Sequence, residues 1–132
     1  MSDKPHIDKV VYDISAPVLD HDQIEMLFMA DDGGDSNSLA LELFTLYKDE
    51  AEPKLAQLEQ ICQDRDADAL RKVVHFIAGS AGNIGIMRFS LFCRGIEVAI
   101  DQGLLEDFDA CARLIPEQFG LSNKAYAESL GL

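Results

Sequence analysis

Residues 70–85 read LRKVVHFIAGSAGNIG, and this stretch decides how the rest of the chain is interpreted. Drawn as an α-helix with about 100° between neighbours, it places its larger apolar side chains on one narrow stripe, as a core-facing helix does. The residues on that stripe are Leu70, Val73, Val74, Ile77 and Ala81. His75 lies about 140° from the middle of the stripe on the same wheel. The pattern therefore predicts a packed helix whose histidine faces solvent.

The neighbours of His75 on the predicted outer face are mostly small. They are Arg71, Ala78, Gly79 and Gly82. Each glycine inside a helix costs roughly 1 kcal/mol relative to alanine, so two of them beside an exposed histidine favour access for something large. The alternative is a surface histidine beside glycines that merely loosen the helix, and spacing alone leaves both interpretations open.

The motif around the histidine resembles that of a known family. Residues 75–80 (HFIAGS), followed by NIG at 83–85, resemble the signature H-x-x-K-G-S of histidine-containing phosphotransfer (HPt) domains, which has a glycine a few residues on. The positions that resemble the next helix of that family are Phe89, Leu91, Cys93, Ile96 and Glu97. The resemblance is strong over residues 71–97. It departs at Ala78, where the family has lysine.

The resemblance implies a phosphocarrier of a two-component phosphorelay rather than a true enzyme. His75 would exchange a phosphoryl group with the aspartate of a response-regulator receiver domain, and the partners would include that receiver or a hybrid histidine kinase. The receiver brings its own Mg²⁺, so no cofactor is expected on this chain. In this interpretation Gly79 leaves room for the partner, and Ser80 and Asn83 are polar contacts. The chemistry suits histidine, since a neutral ring nitrogen is available near pH 7.

Positive charge is concentrated near the histidine. Residues 71–96 contain Arg71, Lys72, Arg88 and Arg94 and no carboxylate, in a chain with 24 acidic residues. A positive patch would stabilise a phosphorylated imidazole and attract the acidic pocket of a receiver. Because Ala78 cannot replace the family's lysine, the candidate substitutes are Arg71 first, Lys72 second, and the other two arginines third. The alternative is that buried helix faces lack charges anyway.

Two other functions deserve comparison with phosphotransfer. A degenerate HPt-like module would dock a receiver or kinase without transferring phosphate, and Ala78 favours this interpretation. A metal-dependent helical enzyme needs histidine and carboxylate pairs on facing helices. His75 has no carboxylate three or four positions away, and capping explains His21 with Glu25, so no metal site is predicted. The run DDGGD at 31–35 lacks the glycine position and closing glutamate of an EF-hand and predicts a solvated turn.

Composition limits the remaining possibilities. A chain of 132 residues with a net charge of −13 predicts one domain that does not bind nucleic acid or anionic membranes. No apolar run reaches the roughly 18 residues of a membrane span, and the N-terminus has no apolar signal-peptide core, so a cytoplasmic location is expected. Cys62, Cys93 and Cys111 lie in apolar helical patterns and predict buried free thiols.

Helical periodicity also extends before residue 70. A short helix is predicted first, with Asp22 as its cap and Glu25 completing a capping box. A long helix follows, starting at residue 36 or 38 and ending near residue 64. Pro53 inside it predicts a kink at residues 49–53, because proline removes one backbone hydrogen bond.

The second half of the chain continues the pattern. Asp66 is predicted to cap the helix that carries His75, and that helix is predicted to end near Ala81. Another helix covers residues 86–101. The last begins near residue 105 or 106, and Pro116 predicts a kink or an interruption in it.

Together these elements predict an all-α fold, an antiparallel four-helix bundle with an additional short N-terminal helix. The short connection at residues 64–68 makes the helices on either side of it antiparallel neighbours. Residues 1–17 contain two prolines and mixed charge, and they predict an N-terminal arm that lies against the bundle domain of residues 18–132.

Overall fold

The computed structural model describes residues 4–30 and 38–132. In these ranges the chain forms six helices and no strand, which confirms the predicted all-α bundle. The helices are α1 (His21–Met29), α2 (Ser38–Leu55), α3 (Leu58–Gln63), α4 (Ala67–Ile84), α5 (Met87–Asp101) and α6 (Phe108–Ser129). No helix in this part of the chain has both the length and the apolar character needed to cross a bilayer. The acidic turn predicted at 31–35 lies outside the described residues.

Helices α4 and α5 form an antiparallel hairpin. Arg71 near the start of α4 contacts Asp101 at the end of α5, while the carbonyl of Ala78 accepts a hydrogen bond from Ser90 near the start of α5. Gly85 makes the sharp connection possible, since its φ of 94° lies in the left-handed region that favours glycine. Because Gly85 is the residue that ends α4, the helix continues to Ile84, three residues beyond the predicted end.

The predicted helix from residue 36 or 38 to 64 is two helices, so the single kinked helix was wrong. Helix α2 extends past Pro53 to Leu55, and α3 begins at Leu58. The amide of residue 57 donates to the carbonyl of Lys54 at 3.2 Å, a tighter turn than an α-helix makes. The α-helical hydrogen bonding is thus interrupted just after the proline, at residues 56–57, rather than at residues 49–53.

Helix α6 differs from its prediction in two ways. It begins at Phe108, where the side chain of Asp107 accepts a hydrogen bond from the amide of Ala110 at 2.9 Å. It then continues through Pro116 without interruption to Ser129. Residues on both sides of the proline pack into the core, and this tertiary packing keeps one helix despite the lost backbone hydrogen bond.

The start of α1 was also assigned to the wrong residue. Asp20, not Asp22, is the cap, and its carboxylate accepts a hydrogen bond from the amide of Gln23 at 3.2 Å. The amide of Asp20 itself donates to the carbonyl of Gly85 at 2.8 Å, and Leu19 forms a β-bridge with Ile86. The long-range contact with the α4–α5 turn therefore determines where α1 begins.

Residues 4–17 lie across α5. Tyr12 packs edge-on against Phe92, with ring centroids 5.4 Å apart. A Cβ atom added to Gly95 would lie 2.6 Å from the carbonyl oxygen of Val11, so the absence of a side chain there allows the close approach. The buried residues of this segment are Pro5, Ile7, Val10 and Ala16.

The three cysteines are buried free thiols, as predicted. Burial raises the pKa of Cys62 to about 11 and that of Cys111 to about 12. Burial also raises the pKa of Cys93 well above its ordinary value. The thiols therefore serve as apolar core groups at neutral pH.

Candidate functional site

His75 lies on the solvent side of α4. Its side chain is 61% exposed, whereas Val74 and Ile77 on the opposite side are fully buried. Helix α4 begins at Ala67, and the carboxylate of Asp66 caps it by accepting a hydrogen bond from the amide of Ala69 at 3.1 Å, as predicted from the sequence. The exposed position of the ring agrees with the helical wheel.

One nitrogen of the imidazole is held by α5. Nδ1 of His75 lies 2.8 Å from Oε2 of Glu97, whose side chain is only 6% exposed. Arg94 donates to the same carboxylate and Arg71 forms an ion pair with it, and a carboxylate between two arginines acts as an acceptor. In the neutral ring, this contact favours the tautomer that has its proton on Nδ1 and its lone pair on the exposed Nε2.

Two arginines complete a charge cluster around Glu97. Arg94 Nη1 lies 2.8 Å from Oε1, and Arg71 Nη2 lies 3.1 Å from Oε2. Arg71 also binds Asp101 with two hydrogen bonds, of 2.6 and 3.2 Å. The hydrogen bond with Asp101 raises the pKa of Arg71, and the same bond lowers the pKa of Asp101. Two positive and two negative groups thus meet beside the ring.

The predicted positive patch needs correction on this side of α4. Glu97 and Asp101 lie one and five residues beyond the range 71–96, and these two carboxylates neutralise Arg71 and Arg94. Arg88 lies about 13 Å along α5 from Glu97, at about 1.5 Å per residue. Its Nε donates instead to the carbonyl of Ala16 at 2.9 Å, which anchors the N-terminal segment.

The small residues near His75 serve different purposes. A Cβ atom added to Gly79 would meet no atom of residues 4–30 and 38–132 within 4 Å, so among these residues the glycine lies beside open space. A Cβ added to Gly82 would lie 3.1 Å from Oγ of Ser90, so that glycine accommodates α5 rather than a partner. Ala78 was predicted on the outer face, but α5 covers it and leaves it 1% exposed.

Ser80 and Asn83 face α2 rather than α5. Together with Phe76 and Tyr47 they line a groove between α2 and α4. The carbonyl of Asn83 accepts a hydrogen bond from the side chain of Gln23 at 3.1 Å, which joins α1 to the end of α4. Both residues thus lie on the flank of α4 away from Glu97.

A lysine that the sequence interpretation missed lies on this same flank. Nζ of Lys54, near the end of α2, is 4.6 Å from the ring centroid of Phe76, the residue after His75. Lys54 and Lys72 line one groove where α2 and α3 meet α4. No spacing rule along α4 finds Lys54, because it belongs to another helix.

These observations define a class of protein: a helical bundle that displays a histidine whose second nitrogen is held by a buried carboxylate. The family model described as Hpt domain matches residues 42–123, and the chain belongs to this family. The fold is similar to that in the crystal structure of histidine-containing phosphotransfer protein B (HptB) from Pseudomonas aeruginosa PAO1, with a TM-score of 0.71 and 22% identity. The match covers 88% of this chain and 96% of that one. No curated protein matches the chain.

Proposed function

We propose that this chain is a phosphocarrier of a two-component phosphorelay that accepts and donates a phosphoryl group on Nε2 of His75. The observation that carries the proposal is the 2.8 Å contact between Nδ1 and Glu97 beneath an exposed ring. This contact directs the lone pair of Nε2 to the solvent side, where a second protein has access. Membership of the Hpt domain family supports the same reaction. The proposal includes a cytoplasmic location, as expected from the sequence.

The proposed partner is a response-regulator receiver domain that carries an aspartyl phosphate. The lone pair of Nε2 forms a bond to phosphorus while the bond from phosphorus to the aspartate oxygen breaks, and the electron pair leaves on the receiver's carboxylate. The product ring carries a proton on Nδ1 and phosphorus on Nε2, and hence a positive charge next to the carboxylate of Glu97. The reverse step returns the group to an aspartate. Mg²⁺ would come with the receiver and neutralise the phosphoryl oxygens.

The approach of the partner depends on the open space beside Gly79. Gly79 follows His75 by one helical turn on the same face, and no atom in the described part of the chain blocks that position. A receiver surface can therefore lie along α4 and bring its aspartate in line with Nε2. In-line geometry is the main requirement of phosphoryl transfer, so positioning alone supplies much of the catalysis.

The second candidate function is a docking module that binds a receiver or histidine kinase without transfer. Ala78 favours it, because a buried methyl group replaces the lysine of the family motif. Glu97 favours transfer, because a pure docking surface does not require an oriented imidazole. The two candidates differ in whether phosphate appears on His75.

The test is incubation with a Mg²⁺-loaded receiver domain phosphorylated beforehand by acetyl phosphate. Transfer predicts label on the chain that is labile in acid and stable in alkali, and its loss in His75→Gln. The matched control is His21→Gln, which changes another exposed histidine and should keep the label. Label that persists in His75→Gln would refute the assignment, and equal binding of all three proteins without label would favour the docking module.

A further inference from the structure

The phosphorylated site needs positive charge that the Glu97 cluster cannot supply. A phosphoryl group adds about −1.5 to −2 charge near neutral pH. Arg71 and Arg94 are balanced by Glu97 and Asp101, at distances of 2.6 to 3.2 Å. Because the charges of this cluster cancel before phosphorylation, a cation from elsewhere in the chain would add compensation for the phosphoryl oxygens if His75 carries phosphate as proposed above.

Uncompensated positive charge lies on the opposite flank of α4. Lys54 and Lys72 line the same groove, and neither forms an ion pair with any residue that the structure describes. The ammonium of Lys54 rests over the ring of Phe76, a contact that leaves its three hydrogens without a carboxylate partner. Lys72 is exposed, one turn before His75.

We propose that Lys54 binds the phosphoryl oxygens on His75, across the helix boundary, in place of the lysine that the family motif has at Ala78. The contact with Phe76 places its ammonium beside the residue adjacent to His75. The long side chain of Lys54 has a flexible four-carbon stem, and in this proposal its ammonium leaves the ring of Phe76 to bind the phosphoryl group. The assignment rests on the proposed phosphotransfer function and names the cation that neutralises the transferred group.

The chain offers a closely matched control in Lys48. This lysine also lies on α2, and its Nζ is 4.4 Å from the ring centroid of Phe44. Lys54→Met and Lys48→Met each remove one positive charge and one cation–π contact while keeping an apolar side chain over the ring. Net charge and the loss of aromatic contact are therefore equal in the two variants, and only the position differs.

The assay uses phosphoramidate as donor, which requires no partner protein. The bond from phosphorus to nitrogen in the donor breaks, Nε2 of His75 takes the phosphoryl group, and ammonia leaves. We expect Lys54→Met to lower the initial rate of labelling roughly tenfold, the effect of one charge-assisted hydrogen bond in the transition state. Lys48→Met should stay within about twofold of the wild type, and Lys54→Arg should restore most of the rate because it keeps the charge.

Folding is checked by circular dichroism for every variant, with Lys54→Gln as a second neutral side chain should Lys54→Met be unstable. Equal rates for the Lys54→Met and Lys48→Met proteins would overturn the role of Lys54 while leaving the proposed function intact. Failure of the wild-type protein to accept phosphate from either phosphoramidate or a receiver would instead overturn the proposed function, and the role of Lys54 with it.

Discussion

Replacing Glu97 by glutamine tests the central feature of the site. Three nitrogens lie within 3.1 Å of this carboxylate: Nδ1 of His75, Nη2 of Arg71 and Nη1 of Arg94. A glutamine amide has one accepting oxygen and one donating NH₂ group, so at least one of these donors must face another donor. If the amide donates to Nδ1, the ring proton moves to Nε2 and the nucleophilic lone pair is lost.

The magnitude follows from the contacts that change. A hydrogen bond to a charged group contributes about 1.5–3 kcal/mol when buried, but the three donors are 41–61% exposed and Arg71 keeps Asp101. We therefore expect Glu97→Gln to lower the free energy of unfolding by only about 1–2 kcal/mol. The rate of phosphorylation should fall roughly 10- to 100-fold, since both the orientation of the ring and the compensation of its charge are weakened.

The assay combines the initial rate of labelling by a phosphorylated receiver with nitrogen-15 NMR of the imidazole. The wild-type ring should have its proton on Nδ1, and the Glu97→Gln protein should have a larger share on Nε2. Asp101→Asn is the matched control, because it removes a neighbouring carboxylate that binds Arg71 but not His75. An unchanged rate together with an unchanged tautomer in Glu97→Gln would show that the carboxylate does not position the ring.

Three further predictions concern Gly79, Gly85 and the thiols. Gly79→Ala should raise the free energy of unfolding by up to about 1 kcal/mol, because the new methyl group meets no described atom within 4 Å and alanine favours the helix. Gly79→Leu should slow transfer from a receiver but not labelling by phosphoramidate, because only the receiver needs the space beside Gly79. Equal slowing with both donors would contradict this. Gly85→Ala should cost about 2–3 kcal/mol in a urea titration, since its φ is 94° and the new methyl would lie 2.8 Å from Ile24, and no loss would contradict the strained turn. Burial raises the pKa of Cys62 from 9.0 to about 11 and that of Cys111 to about 12. The thiols of the unfolded chain therefore lose their protons at a lower pH than those of the folded chain, and the free energy of unfolding should fall as the pH rises above 9. A urea midpoint that is the same at pH 8 and pH 10.5 would contradict that sign.

Local patterns predicted the parts of the fold that depend on one helix. The five residues of the apolar stripe on α4 are all buried, as predicted, and the same stripe placed His75 outside. The cap at Asp66 was predicted because a side chain and an amide three residues apart are enough to make it. These predictions succeeded because the interactions that determine them lie within a few residues of each other.

Features that depend on contact between helices were predicted poorly. The cap of α1 is Asp20, because Gly85 binds its backbone amide from a distant part of the chain. The covering of Ala78 by α5 and the position of Lys54 over Phe76 likewise require the three-dimensional arrangement. The positive patch predicted from the sequence was wrong for the same reason, because Asp101, which neutralises Arg71, lies on the other helix of the hairpin.

The fold holds His75 and Glu97 in register from three directions. The sharp turn at Gly85 sets how α4 and α5 pair, and the bridge between Leu19 and Ile86 fixes that turn from outside. On the far side of α5, the N-terminal segment crosses at Gly95, two residues before Glu97, where a side chain would meet a carbonyl oxygen at 2.6 Å. Each of these contacts lies away from the imidazole, yet each restricts the movement of α5, and with it Glu97, relative to α4. The geometry of one exposed ring thus depends on packing throughout the hairpin.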